Sequence, residues 1–482
     1  MFPITLARVI EIVGGRFHSG TDSQSNTDPD SILLSGNASI DSRQIAEGDV
    51  FFAFPGSGRH GIEFVDQAMA NGAICAIAEH AANSTGVTQS SMVLVPDVQR
   101  ALWQLAAWNR SEFDGAIICV TGSVGKTTTR QLIHTVLQEE GHYCGIQSDR
   151  NFNNHLGVPL TLLRLNRNHQ FAVVEIGASS RGEISKLAAL AEPEIGVVTR
   201  VGPAHLTGFG SVDAIQSSKR ELVEAVAESG CVVLNADDAL VNSMAIAANC
   251  RVIRVSISEV KKLRFNNGVI QFEWDHQPFA IRVTGSHLLM DVLLAIAVGR
   301  EMGVNIRQMA ERLCHFIPNA GRGAMWAGSN LTVVDDSYNA SPASVAAAIS
   351  ALGHWQGSRR ILVLGDMLEL GEQAEHYHTV AGEEIYRGGI DVCLLLGDFG
   401  ECVRKGCLNV AGCCGTQIAC FGSDIRGLCA ALESELTRSP YKTVVWVKGS
   451  RGLQMERVVE HLREQFGLNP FEPSAQRFEP GI

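Results

Sequence analysis

The sequence predicts an α/β protein of three domains. A small N-terminal α/β unit spans 1–112. A central, mostly parallel sheet carrying a P-loop spans 113–318, and a C-terminal Rossmann-like α/β domain spans 319–482 and ends in a mobile tail. Three observations carry this prediction. The chain has 482 residues, too many for one hydrophobic core. From Gly115 onward, apolar runs of strand length alternate with segments of helical periodicity. Those runs end in polar turns containing glycine or asparagine, as parallel strands do at their ligand-bearing ends.

Composition narrows the class. Hydrophobic residues make up 45% and charged residues 19% of the chain, too apolar for disorder and ordinary for a globular α/β protein. The net charge of −12 argues against nucleic-acid partners and anionic membranes, because no basic excess is present to displace counterions. The N-terminal MFPITLARVIEIVGG has helical rhythm interrupted by Arg8 and Glu11 and no cleavage signal, and no apolar stretch is long enough to span a bilayer. A cytoplasmic monomer is the expectation. The 13 cysteines are scattered without framework spacing, which reads as reduced thiols. Cys402, Cys407, Cys413, Cys414 and Cys420 cluster without a CxxC pair, so a zinc site is disfavoured.

In the N-terminal unit, Val50–Phe54, Ala73–Ala78 and Met92–Val95 read as strands and Ile62–Ala70 as a helix, with a polar loop over Ser19–Ser31. The triplet Asp41-Ser42-Arg43 reads by itself as an N-cap with a surface ion pair.

The central unit begins with AIICVTGSVGKTTT at 116–129. An apolar strand gives way to a glycine loop that opens a helix, which Gly141 is placed to cap. Gly122, Ser123, Val124 and Gly125 leave backbone N–H groups free to close around an anion, and the helix start adds partial positive charge. Lys126 reaches the terminal phosphates of a nucleotide, Thr127 offers a hydroxyl to Mg²⁺, and Thr128 continues the cradle. Position 120 is valine where the full pattern has glycine, so this is the shorter GxxGKT form. Downstream come the asparagine run 151–154, then FAVVEIGASSRGEI, then VVTRVGPAHLTGFGS. Glu175, Thr199 and His205 fall at or beyond strand ends; a carboxylate after FAVV reads as a metal ligand or water activator rather than core. Lys219, in SSKREL, reads from the residues alone as a solvated lysine. The stretch Arg251–Val283 reads as antiparallel strands beside the main sheet, and Leu288–Met302 as a helix. Pro318–Gly323 reads as a hinge.

The C-terminal domain restarts the pattern. LTVVDDSYNASP, RRILVLGDMLELG and TVVWVKGSRGLQME each place a polar cluster at a strand end, and three such clusters imply a shared edge.

Taken in order, these motifs resemble the Mur ligases, the ATP-dependent amide-bond ligases of peptidoglycan precursor synthesis. DDSYNASPASV, GDMLELG and VKGSRGLQME look like the branch that adds D-alanyl-D-alanine to UDP-N-acetylmuramoyl-tripeptide. The DNPR-like motif of the branch that adds a single amino acid is missing. The resemblance covers nearly the whole chain. It implies that Lys126 and the backbone of 122–128 hold ATP phosphates, that Thr127 and Glu175 share one Mg²⁺, and that His205 binds a second. It implies that Lys219 is carbamylated and that Arg322 and Asp336 reach the nucleotide from the C-terminal domain. Asp41, Ser42 and Arg43 would contact the UDP end of the substrate. Asn154, Asn339, Lys448, Ser450 and Arg451 would serve the acceptor, the incoming dipeptide or the reaction centre. Three departures stand out: Leu288 and Asp291 replace the asparagines customary beside adenine, His60 replaces an aspartate, and Arg200 an asparagine. Two rival readings are a ligase adding one amino acid and, outside the enzyme class, a P-loop nucleotide switch.

Overall fold

The computed structural model describes residues 1–18, 28–56, 58–79, 90–139, 141–149, 151–204, 206–411, 415–437 and 441–471. His205, Cys413, Cys414, most of the expected 19–31 loop and the tail beyond Phe471 lie outside these residues.

Among the described residues the central sheet has six strands, all parallel, in the order Arg251–Val255, Cys231–Asn235, Ile195–Val198, Ala116–Thr121, Phe171–Glu175 and Gly145–Gln147. The four inner strands are short apolar runs buried on both faces, as a parallel sheet covered by helices requires, whereas the edge strand Arg251–Val255 is only partly buried. Chain order reverses around Ala116–Thr121, and ligands bind outside the strand C-termini at such a reversal. Register brings the relevant ends level: Val120 pairs with Glu175 and Thr121 with Val198.

Two expectations change here. Arg251–Val255 is the parallel edge strand of the main sheet; only Lys261–Asn266, Val269–Trp274 and Gln277–Arg282 form the separate antiparallel meander. The P-loop helix, Lys126–Leu137, stops short of Gly141. Arg312 donates to the carbonyls of Val136 at 2.7 Å and Leu137 at 3.3 Å, satisfying helix-end acceptors that a glycine cap would otherwise meet.

The N-terminal sheet runs Arg16–His18, Met92–Val95, Cys75–Glu79, Val50–Ala53 and Ala38–Ser39, antiparallel only at its first pair. The helix expected over Ile62–Ala70 is a 3-10 turn, Gly61–Phe64, followed by Val65–Ala70. The N-terminal rhythm is the helix Leu6–Val13, closed by Gly14 in the left-handed region.

Among the described residues the C-terminal sheet has seven strands: Gln417–Cys420, Val392–Leu396, Arg359–Gly365, Thr443–Lys448, Leu331–Asp336, Ala324–Ala327 and Asn469–Pro470. The last two pairs are antiparallel. Asn469–Pro470 is an edge strand, and Phe471 donates its N–H to the Met325 carbonyl at 2.9 Å. Among the described residues no helix is long and apolar enough to cross a membrane.

Candidate active site

A cavity of about 1110 Å³ lies where the three units meet, lined by the P-loop, by the N-terminal-unit helix Val98–Ser111 and by the strand ends of the C-terminal sheet. The glycines shape its floor. Gly122 has φ +152° and Gly125 φ +88°; a Cβ on the first would meet Thr199 Oγ1 at 2.0 Å, and on the second Asp291 Oδ1 at 2.6 Å. Only glycine lets the loop lie this close to its neighbours. Thr199 in turn ties the loop down, donating its hydroxyl to the Val124 carbonyl at 2.5 Å. The Ser123 hydroxyl donates to Gly202 O at 2.9 Å, and Ser123 N–H donates to Arg200 O at 2.7 Å.

The Lys126 ammonium donates to the carbonyls of Gly122 at 2.7 Å and Ser123 at 3.3 Å, within its own loop. Burial lowers its pKa, partly offset by the Glu175 charge. Thr127 donates its hydroxyl to Glu175 Oε2 at 2.9 Å, and the Asn153 amide donates to Oε1 at 2.9 Å. The buried Glu175 carboxylate thus has each oxygen hydrogen-bonded, and the buried Arg130 lies 3.8 Å from Oε2. Thr127 and Glu175 present two hard oxygens side by side. That suits Mg²⁺, which takes few protein ligands and keeps the rest of its shell for water and phosphate.

Lys219 overturns the solvated-lysine reading. On the helix Val212–Ala225 it is 3% exposed, lines the cavity and has Phe209 as a ring neighbour at 5.6 Å. Burial, with Lys126 nearby, brings its pKa down to about 7. A buried lysine at that value is a nucleophilic amine as much as a cation.

On the opposite wall, Lys448 donates to Asp336 Oδ2 at 2.8 Å and to the Asn339 carbonyl at 3.0 Å. Ser450 accepts the Leu368 N–H at 2.9 Å on its hydroxyl, so GDMLELG and VKGSR are stitched together. Arg322 and Arg451 line the same wall. The expected cluster is present, with qualifications. Asn154 lines the cavity, and its Oδ1 accepts the N–H groups of Leu156 and Gly157 just ahead of the short helix Gly157–Leu162. Its neighbour Asn153, not singled out by the sequence, is the one that holds Glu175. Asp41, Ser42 and Arg43 do not line the cavity. Asp41 caps a 3-10 turn and pairs bidentately with Arg43, which holds its carboxyl down at about 2. Asp291, beside the P-loop where an asparagine is customary, is buried, and burial pushes its carboxyl up to about 7.

Three family descriptions match consecutive segments: "Mur ligase family, catalytic domain" over 37–108, "Mur ligase middle domain" over 120–299 and "Mur ligase, glutamate ligase domain" over 321–451. The UDP-N-acetylmuramoyl-tripeptide–D-alanyl-D-alanine ligase of Synechocystis is 33% identical, covering 83% of this chain and 86% of the relative. A crystal structure of MurF from Acinetobacter baumannii aligns with TM-score 0.81 at 26% identity, covering 96% of this chain and 99% of that one. MurF from Thermotoga maritima, solved in complex with ADP, aligns with TM-score 0.76 at 26% identity over 89% and 98%. A continuous match of sequence and structure across all three units is not reached by chance convergence on a P-loop, and the chain belongs to the Mur ligase family, in its MurF branch.

Proposed function

We propose that this protein joins D-alanyl-D-alanine to UDP-N-acetylmuramoyl-tripeptide at the expense of ATP, through an acyl phosphate. The observation that carries the reading is the convergence of Lys126, Thr127, Glu175 and Lys219 on one wall of a cavity whose other wall holds Lys448, Ser450 and Arg451. The MurF relatives support the choice of substrates.

The chain's own groups supply the steps. Phosphate oxygens are charged acceptors and compete well for the Lys126 ammonium protons now shared between two neutral carbonyls. The P-loop N–H groups, fixed by the Thr199 and Ser123 tethers, meet the remaining oxygens. Thr127 and Glu175 would hold Mg²⁺, which neutralises charge on the transferred phosphoryl group. The substrate carboxylate attacks the γ-phosphorus and ADP leaves; the neutral dipeptide amine then attacks the acyl carbon, and phosphate departs with the proton that the nitrogen gives up. Lys448, Ser450 and Arg451 face the amine side, where they orient the dipeptide. Asp41, Ser42 and Arg43, outside the cavity, serve the distant UDP end. Acyl phosphates hydrolyse readily, so water is excluded as the C-terminal unit closes about Gly321–Gly323.

Lys219 fits a carbamate. Its neutral amine attacks CO₂, a proton leaves nitrogen, and an anionic carboxylate-like ligand results, available for a second Mg²⁺ with His205. A carbamate carbon resonance appearing in the wild type supplied with ¹³C-bicarbonate, and vanishing in Lys219→Met, checks this.

Mass spectrometry of the product from ATP, UDP-N-acetylmuramoyl-tripeptide and D-alanyl-D-alanine tests the whole reading, with a panel of single amino acids in parallel. The dipeptide adduct alone is expected; an adduct with one amino acid, or none from an ADP-binding preparation, overturns it.

A further inference from the structure

The ring of Tyr338 stands beside two of the cavity's cations. The Arg322 guanidinium lies over it with Cζ 3.8 Å from the ring centroid, and Arg451 Cζ lies 5.8 Å from the same centroid. All three residues line the cavity. The arginines arrive from different directions, Arg322 from the turn that enters the C-terminal unit and Arg451 from the loop after Thr443–Lys448.

The ring's place is set by the backbone. Tyr338 N–H donates to the Gly321 carbonyl at 3.1 Å. Gly321 has φ +75°, and a Cβ there would lie 3.0 Å from Tyr338 Cβ and 3.2 Å from its nitrogen. Gly321 N–H donates to Asp335 Oδ2 at 2.8 Å, and the Ser337 hydroxyl donates to Oδ1 at 2.5 Å. The buried Asp335 carboxylate therefore locks the turn against the strand end and fixes where the Tyr338 side chain starts.

The two guanidiniums face different halves of the site. The Arg322 charge acts on both Lys126 and Arg130, lowering their pKa values behind the larger effect of burial, so it looks toward the phosphate loop. Arg451 shares its wall with Lys448 and Ser450. An aromatic face attracts a cation through its quadrupole and restricts a long side chain, and for Arg451 it acts together with the ion pair to Glu456 Oε1 at 2.7 Å. The Tyr338 hydroxyl makes no hydrogen bond among the described residues, which leaves the ring as the working part.

We propose that Tyr338 is a positioning residue whose ring holds the nucleotide-side Arg322 and the amine-side Arg451 in one fixed relation. Phosphate transfer and amine attack are thereby registered to each other. This rests on the functional reading above, in which ATP occupies the P-loop and the dipeptide the Arg451 wall.

The test is steady-state kinetics of the full chain with each substrate varied in turn. Tyr338→Phe keeps the ring and is expected to match the wild type. Tyr338→Leu is expected to raise KM for ATP and for D-alanyl-D-alanine by about fivefold each, the size of a lost cation–π contact, with KM for the UDP substrate unchanged. In an Arg322→Ala background, Tyr338→Leu should still raise KM for the dipeptide but no longer that for ATP. Tyr338→Leu with both KM values unchanged, a Phe variant as impaired as the Leu variant, or a fall in kcat alone would overturn the proposal. If the Leu variant does not fold, Tyr338→Met is read the same way. Should the wild type form no ligated product, the functional reading fails by itself. ADP titration of the wild type, Phe and Leu variants then decides the nucleotide half, unequal affinities of wild type and Phe variant counting against it.

Discussion

Lys219 and Lys448 are equally buried, 3% and 2% exposed, on opposite walls of one cavity. The protein treats them in opposite ways. Lys448 meets the Asp336 carboxylate at 2.8 Å and a carbonyl at 3.0 Å, so its charge is paid for by a partner. Lys219 has an aromatic ring at 5.6 Å and a second lysine nearby, and its pKa falls to about 7. The central wall keeps a reactive amine, whereas the C-terminal wall keeps a fixed cation. Burial alone does not tell a catalytic lysine from a positioning one; the partner does.

The comparison breaks most sharply if the central wall is not where the chemistry lies. Lys126→Ala and Glu175→Ala should each cut amine-dependent ADP release by about a thousandfold or more, the scale of removing one group that stabilises a developing charge. Thermal melting should show both variants folded. Turnover near wild type in either would move the site elsewhere.

The next effect separates the two lysines. Lys448→Met leaves the partly buried Asp336 carboxylate beside Trp446 without its cation and should cost about 2 kcal/mol in urea unfolding. Lys219→Met, measured with CO₂ excluded, should stabilise by about 1 kcal/mol at neutral pH, because the wild-type amine must shed or bury a proton on folding. Equal signs for the two variants would erase the distinction.

Asp291 extends the comparison to acids. Its carboxyl ionises near 3.8 in the unfolded chain and near 7 when buried, so the folded protein holds the extra proton between those values. That contribution to stability is complete below about pH 4 and is lost as pH rises toward 7. Asp291→Asn should flatten this slope and stabilise the protein by about 1 kcal/mol at pH 7.5. An unchanged pH profile would mean the carboxyl is solvated.

Legibility in the sequence followed the same physics. The P-loop was readable because its glycines are forced by backbone geometry, which leaves a spacing in the chain. Parallel strands showed as apolar runs because they are buried on both faces. Lys219 stood out only through the resemblance: by its own residues SSKREL carries the polarity of an exposed helix, and packing against Phe209 and the cavity is what gives it a buried face. The hold of Asn153 on Glu175 was invisible for a related reason, since residue type alone does not say which asparagine of the run reaches the carboxylate. Tyr338 had no signal of its own, because its cationic neighbours come from 16 residues before and 113 after it in the chain.

The smallest effect on stability, and the one that sharpens the outer boundary of the site, concerns Arg43. Its guanidinium is 79% exposed and its partner Asp41 is on the surface, so the pair adds little to the fold. Arg43→Ala should leave the melting temperature unchanged. If the triplet holds the UDP end, the same variant should raise KM for the UDP substrate while KM for ATP and for the dipeptide stay put, because no atom of Asp41, Ser42 or Arg43 lines the cavity where those two meet. An ion pair that costs nothing to remove and yet changes one KM out of three is doing recognition. One whose loss changes no KM is an ordinary cap, and the UDP end must then be sought along another face of the N-terminal sheet.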